Sequence, residues 1–173
     1  SVTKMESLFD CCENFNQQLD SWDVSNVKNM KRMFSGCVKF NQNLNTWDVS
    51  NVKNMQSMFE NCINFNQPLN LWNLENVEAI DSMFCNCEKF NQVLDKWRFP
   101  KCITLVCVFY NCKNFNQNLD SWDVSNIETL EGIFSHCENF NQPLNSWDVS
   151  NVSNMYAMFF KCKNFNQPLD SWD

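Results

Sequence analysis

Apolar residues fall along this chain in a fixed figure. It reads Leu44, Trp47, Val49, Val52, Met55, Met58, Phe59, Cys62 and Phe65, with mostly polar residues between. The figure then recurs. Tryptophans stand at Trp22, Trp47, Trp72, Trp97, Trp122, Trp147 and Trp172, and every step is 25 residues. A fixed period of roughly 20–50 residues marks a solenoid or array, in which stacked units bury a core that no single unit could. Within one unit, Val52, Met55, Met58, Phe59 and Cys62 have the spacing of one face of a helix of roughly three turns. Ser50 or Asn51 is placed to cap its N-terminus. Trp47-Asp48-Val49 alternates apolar and polar, which predicts a very short strand. Leu44 and Phe65 face the core. Asn66-Gln67 turns the chain, with Pro68, Pro143 and Pro168 suited to that turn.

These elements predict a right-handed α/β solenoid with one short parallel strand and one helix per 25-residue coil. Strands would stack ~4.8 Å apart and helices ~8–10 Å apart, so the array would curve with its strands inside. Phe9, Phe15, Leu19 and their equivalents would form apolar columns, and Asn16 and Gln17 with theirs an amide row able to hydrogen-bond along the array. Residues 1–173 read as a single domain of about seven repeats that starts and stops in mid-repeat. A longer array, or neighbouring copies or domains at the solenoid ends, is the expectation.

Composition narrows the function. A net charge of −7 argues against nucleic acid, which requires clustered Lys and Arg, and against an anionic membrane surface. No apolar run is long enough to span a bilayer. One histidine, His136, two glycines and no assembled acid–base constellation argue against an enzyme, and no cofactor or metal site is expected.

Seven of the 11 cysteines occupy one repeat position: Cys12, Cys37, Cys62, Cys87, Cys112, Cys137 and Cys162. The helix spacing would hold them too far apart to bridge, so they read as reduced packing residues. Cys11, Cys85, Cys102 and Cys107 break the repeat, and Cys85 could face Cys107 across adjacent helices. A second row, Asp23, Asp48, Asn73, Arg98, Asp123, Asp148 and Asp173, would stack like charges about 5 Å apart. Asx-type turns, a basic partner surface and calcium are three ways of answering that repulsion.

One unit departs from the pattern. Lys96-Trp97-Arg98-Phe99-Pro100-Lys101-Cys102 stands where others read Ser-Trp-Asp-Val-Ser-Asn-Val. Lys96, Arg98 and Lys101 make a basic patch on the strand edge, and the capping residue is lost. The helix that follows would carry Ile103, Val106 and Tyr110 on its outer side, where other units place Lys53, Gln56 and Glu60. Tyr156 and Phe160 would extend that surface two coils on. Drift of one repeat and a partner contact both account for these changes. The two patches would lie on opposite sides of the coil.

The motif Leu-x-x-Trp-x-Val-Ser-Asn-Val-x-x-Met-x-x-Met-Phe-x-x-Cys-x-x-Phe-Asn-Gln resembles the 25–26-residue repeats of bacterial surface proteins and mycoplasma lipoproteins. It is similar also to the BspA-like leucine-rich repeat, at Met33-Phe34-Ser35-Gly36-Cys37. The resemblance covers essentially the whole chain. It implies a leucine-rich-repeat-like solenoid in a surface protein, at a cell or virion surface, with no catalytic residue to carry over. The function read from the sequence is non-enzymatic protein recognition or scaffolding, with a passive structural spacer or surface-layer component as the alternative.

Overall fold

A computed structural model describes residues 2–172. The 25-residue coil is present, but it is not built from a strand and a helix. Among the described residues there is no α-helix, and the only β-pairing is a series of isolated parallel bridges, such as Asn29 to Asn54 and Asn54 to Ala79. The expected α/β leucine-rich-repeat solenoid is therefore corrected: each coil is a series of β-turns joined by short segments without turns, and Asn66-Gln67, expected to turn the chain, lies in one of those segments.

The turns explain why the sequence imitates a helix. In one coil Trp47 N–H donates to Leu44 C=O, Val52 to Val49, Met58 to Met55, Cys62 to Phe59 and Phe65 to Cys62, at 2.9–3.2 Å. The two ends of each of these turns are apolar and point inward. An i, i+3 spacing thus arises from turn ends rather than from one helical face. Met58 and Phe59, adjacent in sequence, end one turn and begin the next, which produces the i+6, i+7 doublet.

The backbone at the turn centres settles the point. Two residues per coil have positive φ, among them Ser57 (54°) and Asn61 (61°), Ser82 (56°) and Asn86 (61°), Cys107 (53°) and Asn111 (56°). Each is the third residue of its turn, where a type II geometry requires the left-handed region. Asn and Gly suit that region best, and Gly36, Asn61, Asn86 and Asn111 share one repeat position. At Gly36 (φ 73°) a Cβ would also stand 3.1 Å from the Cys11 backbone, a tight contact, so both conformation and space favour glycine there. Replacing Ser57 by glycine is expected to stabilise the fold by ~0.5–1 kcal/mol, because it relieves a left-handed residue. In a helix the same change would destabilise by a similar amount. A urea melt reads the sign, and a loss of stability would refute the turn.

Coils are joined by main-chain bonds over the same stretch. Met30, Arg32, Phe34 and Gly36 N–H groups donate to Asn54, Gln56, Met58 and Glu60 C=O of the next coil at 2.7–2.9 Å. Direct main-chain bonding holds this side of the coil at sheet-like separation, not at the ~8–10 Å of packed helices.

The core is a set of columns. Phe34, Phe59, Phe84 and Phe109 stack at 5.7–5.8 Å between ring centroids. Phe40, Phe65, Phe90 and Phe115 form a second stack at 6.0–6.1 Å. The rings of one coil interlock at about 4.2 Å, as Phe84 does with Phe90. Polar atoms in these columns reach back one coil. Trp72 Nε1–H donates to Leu44 C=O at 2.9 Å, and Cys62 Sγ–H to Phe34 C=O at 3.0 Å. The amide row does hydrogen-bond along the array: Asn41 Oδ1 accepts Asn66 N–H, and Asn66 Oδ1 accepts Asn91 N–H and Gln92 Nε2–H. Among the described residues no buried side-chain polar atom lacks a partner.

Candidate functional site

A closed coil of turns leaves two kinds of surface: the tips of the turns and the edges of the short inter-turn segments. The regular coils show what each does by default. Asp48 Oδ1 accepts Ser50 N–H at 3.0 Å, and Asp23, Asn73, Asp123 and Asp148 repeat this Asx turn at 3.0–3.1 Å. Hydrogen bonds from Ser25, Ser50, Ser125 and Ser150 hold the four carboxyl groups below the ordinary carboxylate range. Asp173, the last of that row, lies outside the described residues. Ser50, expected as a helix cap, is the donor in this turn, and the Asn51 side chain donates to Ser25 C=O of the previous coil at 2.8 Å.

The departing coil breaks this arrangement consistently. Pro100 has no N–H to donate, and Arg98 has no oxygen to receive one, so the missing donor and missing acceptor match. The turn survives because proline occupies its second position, where a fixed φ is favourable, and Cys102 N–H still reaches Phe99 C=O at 3.0 Å. Phe99 fills the inward place of a valine and meets Trp122 edge-on at 4.9 Å. The Arg98 guanidinium folds back, its Nη1 donating to the carbonyls of Asp95 (2.9 Å) and Trp97 (2.7 Å). Lys101 Nζ donates to Asn76 Oδ1 at 2.7 Å. Lys96 is exposed.

Two clefts flank Arg98. One, of about 160 Å³, is lined by Glu75, Trp97, Arg98, Phe99, Pro100 and Asp123 among others. The second, of about 340 Å³, is lined by Leu71, Asn73, Glu75, Lys96 and Arg98 with Asn70, Trp72 and Leu74. Ile103, 51% exposed, shares a third depression with Pro100. It therefore belongs with the basic edge and not with Tyr110, which corrects the grouping expected of a helix face.

Val106 and Tyr110 are half-buried, and Val106 N–H is held by Asp81 Oδ1 at 2.8 Å. The aromatic surface lies further on. Tyr110, His136 and Phe160 form a row, with ring centroids 5.2 and 5.4 Å apart. Tyr156 is 75% and Phe160 54% exposed, and Lys161 Nζ stands 5.2 Å from the Phe160 ring centre. Burial, and then Lys161, lower the His136 pKa, which favours the neutral ring between its two neighbours. In the sequence His136 counted only as the single histidine, too little for an enzyme site. The signal was its place in the left-handed position of its coil, beside the equivalents of Tyr110 and Phe160. In early coils this surface is charged instead: Arg32 bonds Asp10 at 2.9 Å and lies 3.5 Å from Glu60.

All 11 cysteines are free thiols, including Cys85 and Cys107. No group of residues able to hold a metal ion is present among the described residues.

With the turn-built repeat in view, its relatives can be stated. One family model matches residues 1–97 and again residues 81–173. The chain belongs to the family described as Mycoplasma protein of unknown function, DUF285. No curated protein and no solved structure matches it. In this DUF285 chain the two matched spans overlap in residues 81–97, and the first span ends two residues into the Lys96–Lys101 segment.

Proposed function

We propose that this chain is a non-enzymatic recognition module that presents the Tyr110–His136–Phe160 row and Tyr156 to a protein partner at a cell or virion surface. The observation that carries this reading is the change of one surface along an otherwise repetitive array. The position that is Asp10, Ser35 and Glu60 in early coils becomes Tyr110 and Phe160 later. Large exposed aromatic groups dominate interface energetics, and tyrosine is enriched among the residues that matter most. A surface location is supported by the resemblance of the 25-residue repeat to those of bacterial surface proteins and mycoplasma lipoproteins. Buried, protonated thiols are compatible with it, since only the thiolate reacts.

A test uses substitutions that restore the residues of regular coils, Tyr156→Gln as at Gln56 and Phe160→Ser as at Ser135. For a partner that the unaltered chain retains, the double change is expected to weaken binding by at least ~2 kcal/mol with circular dichroism unchanged. Undiminished affinity would remove the aromatic row from consideration. It would favour the second reading, a structural spacer, which the regular hydrogen-bonded columns support.

A further inference from the structure

We propose that Arg98 and Lys96 form a carboxylate-binding site for an acidic residue of a peptide partner, with the neighbouring apolar residue of that peptide lying on Leu71. The site goes beyond the recognition surface above. Arg98 and Tyr110 stand 12 residues apart in a 25-residue coil, about half a circuit.

Three observations point to this ligand. The first is the state of Arg98. Its Nη1 is fixed by two main-chain carbonyls, and among the described residues no carboxylate lies within ion-pair reach of it. Of the carboxylates that line the first cleft with it, Asp123 receives Ser125 through both N–H and Oγ–H and feels Arg98 only at longer range, and Glu75 is an exposed side chain on the rim. A guanidinium held by one nitrogen keeps its Nε–Nη2 edge open, and that edge matches the two oxygens of a carboxylate. The second is the cleft beside it. Its apolar floor, Trp72 and Leu74, is buried, and Leu71 rises from it 65% exposed where other coils carry Ser21, Thr46 or Ser121. Its amide side chains are already committed, Asn70 to Asp95 and to Lys96 N–H, and Asn73 to Glu75 N–H, which leaves the exposed Glu75 carboxylate on its rim as the one acidic group an incoming ligand must displace or avoid. The third is charge. In a chain of net charge −7, Lys96, Arg98 and Lys101 lie within six residues and replace the serine, aspartate and asparagine of the repeat. Complementary potentials steer and orient an acidic partner toward such a patch.

The test is a titration followed by ¹H–¹⁵N chemical shifts of residues 96–101 and the Trp97 indole. The probes are N-acetyl-Leu-Asp-Leu-amide and its Asn counterpart. The acidic peptide is expected to shift these signals in the millimolar range, and the Asn peptide to bind at least about tenfold more weakly. Lys96→Ser with Arg98→Asp restores the pattern of Ser121 and Asp123 and should abolish the response while the remaining spectrum is preserved. Arg98→Lys keeps the charge but loses the planar edge, and should weaken binding about tenfold. Equal binding of the two peptides, or an undiminished response in either variant, overturns the proposal. Since Tyr156 and Phe160 are untouched, failure here leaves the aromatic surface to its own experiment.

Discussion

Phe84→Ala is expected to cost ~3–5 kcal/mol, the range for removing a fully buried aromatic ring from a core that cannot collapse around the gap. Phe84 is wholly buried and is met on every side by other rings: Phe59 at 5.8 Å, Phe90 at 4.2 Å, Trp97 at 6.0 Å and Phe109 at 5.7 Å. Those rings are themselves clamped between coils, so none can swing into the space. In a stacked array stability is a sum of unit and nearest-neighbour terms. A gap in the middle coil therefore also weakens the coupling between the two halves, and the denaturant transition should broaden or split. Phe159→Ala provides the contrast: that ring is only partly buried and has no coil beyond it among the described residues. Its loss should cost markedly less. A Phe84→Ala loss below ~1 kcal/mol, or equal losses at the two sites, would refute the interlocked columns.

The second large effect is with alkali. Burial pushes the thiols of Cys37, Cys85 and Cys102 up to about 12, and those of Cys62, Cys87, Cys112 and Cys137 well above the ordinary value. An unfolded thiol loses its proton near pH 9, and the folded chain retains it. Between about pH 9 and 12 the native state binds more protons than the unfolded one, so stability falls as pH rises. The full contribution is present below pH 9. Each thiol adds up to ~1.4 kcal/mol of loss per pH unit within that window. Several buried thiols acting together make a steep decline, measurable in urea melts between about pH 8.5 and 9.5, where most Tyr and Lys side chains still hold their protons. Cys62→Ala should reduce the slope by up to one thiol's share. A stability that stays flat over that interval would show that the cysteine column is not sealed.

What the sequence disclosed, and what it concealed, has a single cause. The Trp, Phe, Leu and Cys columns were legible because burial depends on which positions face inward, and the 25-residue period gives that directly. The elements were not legible, because Met55, Met58, Phe59 and Cys62 have the same spacing as turn ends and as a helix face. The discriminating residues were the short polar ones between them. Asn61, Asn86, Asn111 and Gly36 recur where the backbone turns left-handed, a position no helix interior contains. Ser50 and Asn51 suggested a cap, yet the first closes an Asx turn and the second ties two coils. At the odd coil the departure was readable in Lys96, Arg98 and Pro100. The folding-back of Arg98 depends on carbonyl positions that only the coil geometry provides. The aromatic row was partly read, from Tyr110, Tyr156 and Phe160, but its central ring, His136, was missed because neighbours in space are not neighbours at a 25-residue step.

The main-chain bonds of the turn stretch have a direction. Met30, Arg32, Phe34 and Gly36 all donate toward the following coil, and the carbonyls of Asn29, Lys31, Met33 and Ser35 all accept from the preceding one. An ordinary β-strand edge alternates donors with acceptors, which lets any other exposed strand zip onto it. Over this stretch one rim of a coil offers donors alone and the other acceptors alone. A stray strand can satisfy only half of its groups there, and two like rims oppose each other. The surface that fits completely is another coil of the same kind, arriving in the same orientation and register. The stack is thereby polar, every coil joined head to tail, and the rims are poor templates for the promiscuous pairing that drives β-aggregation.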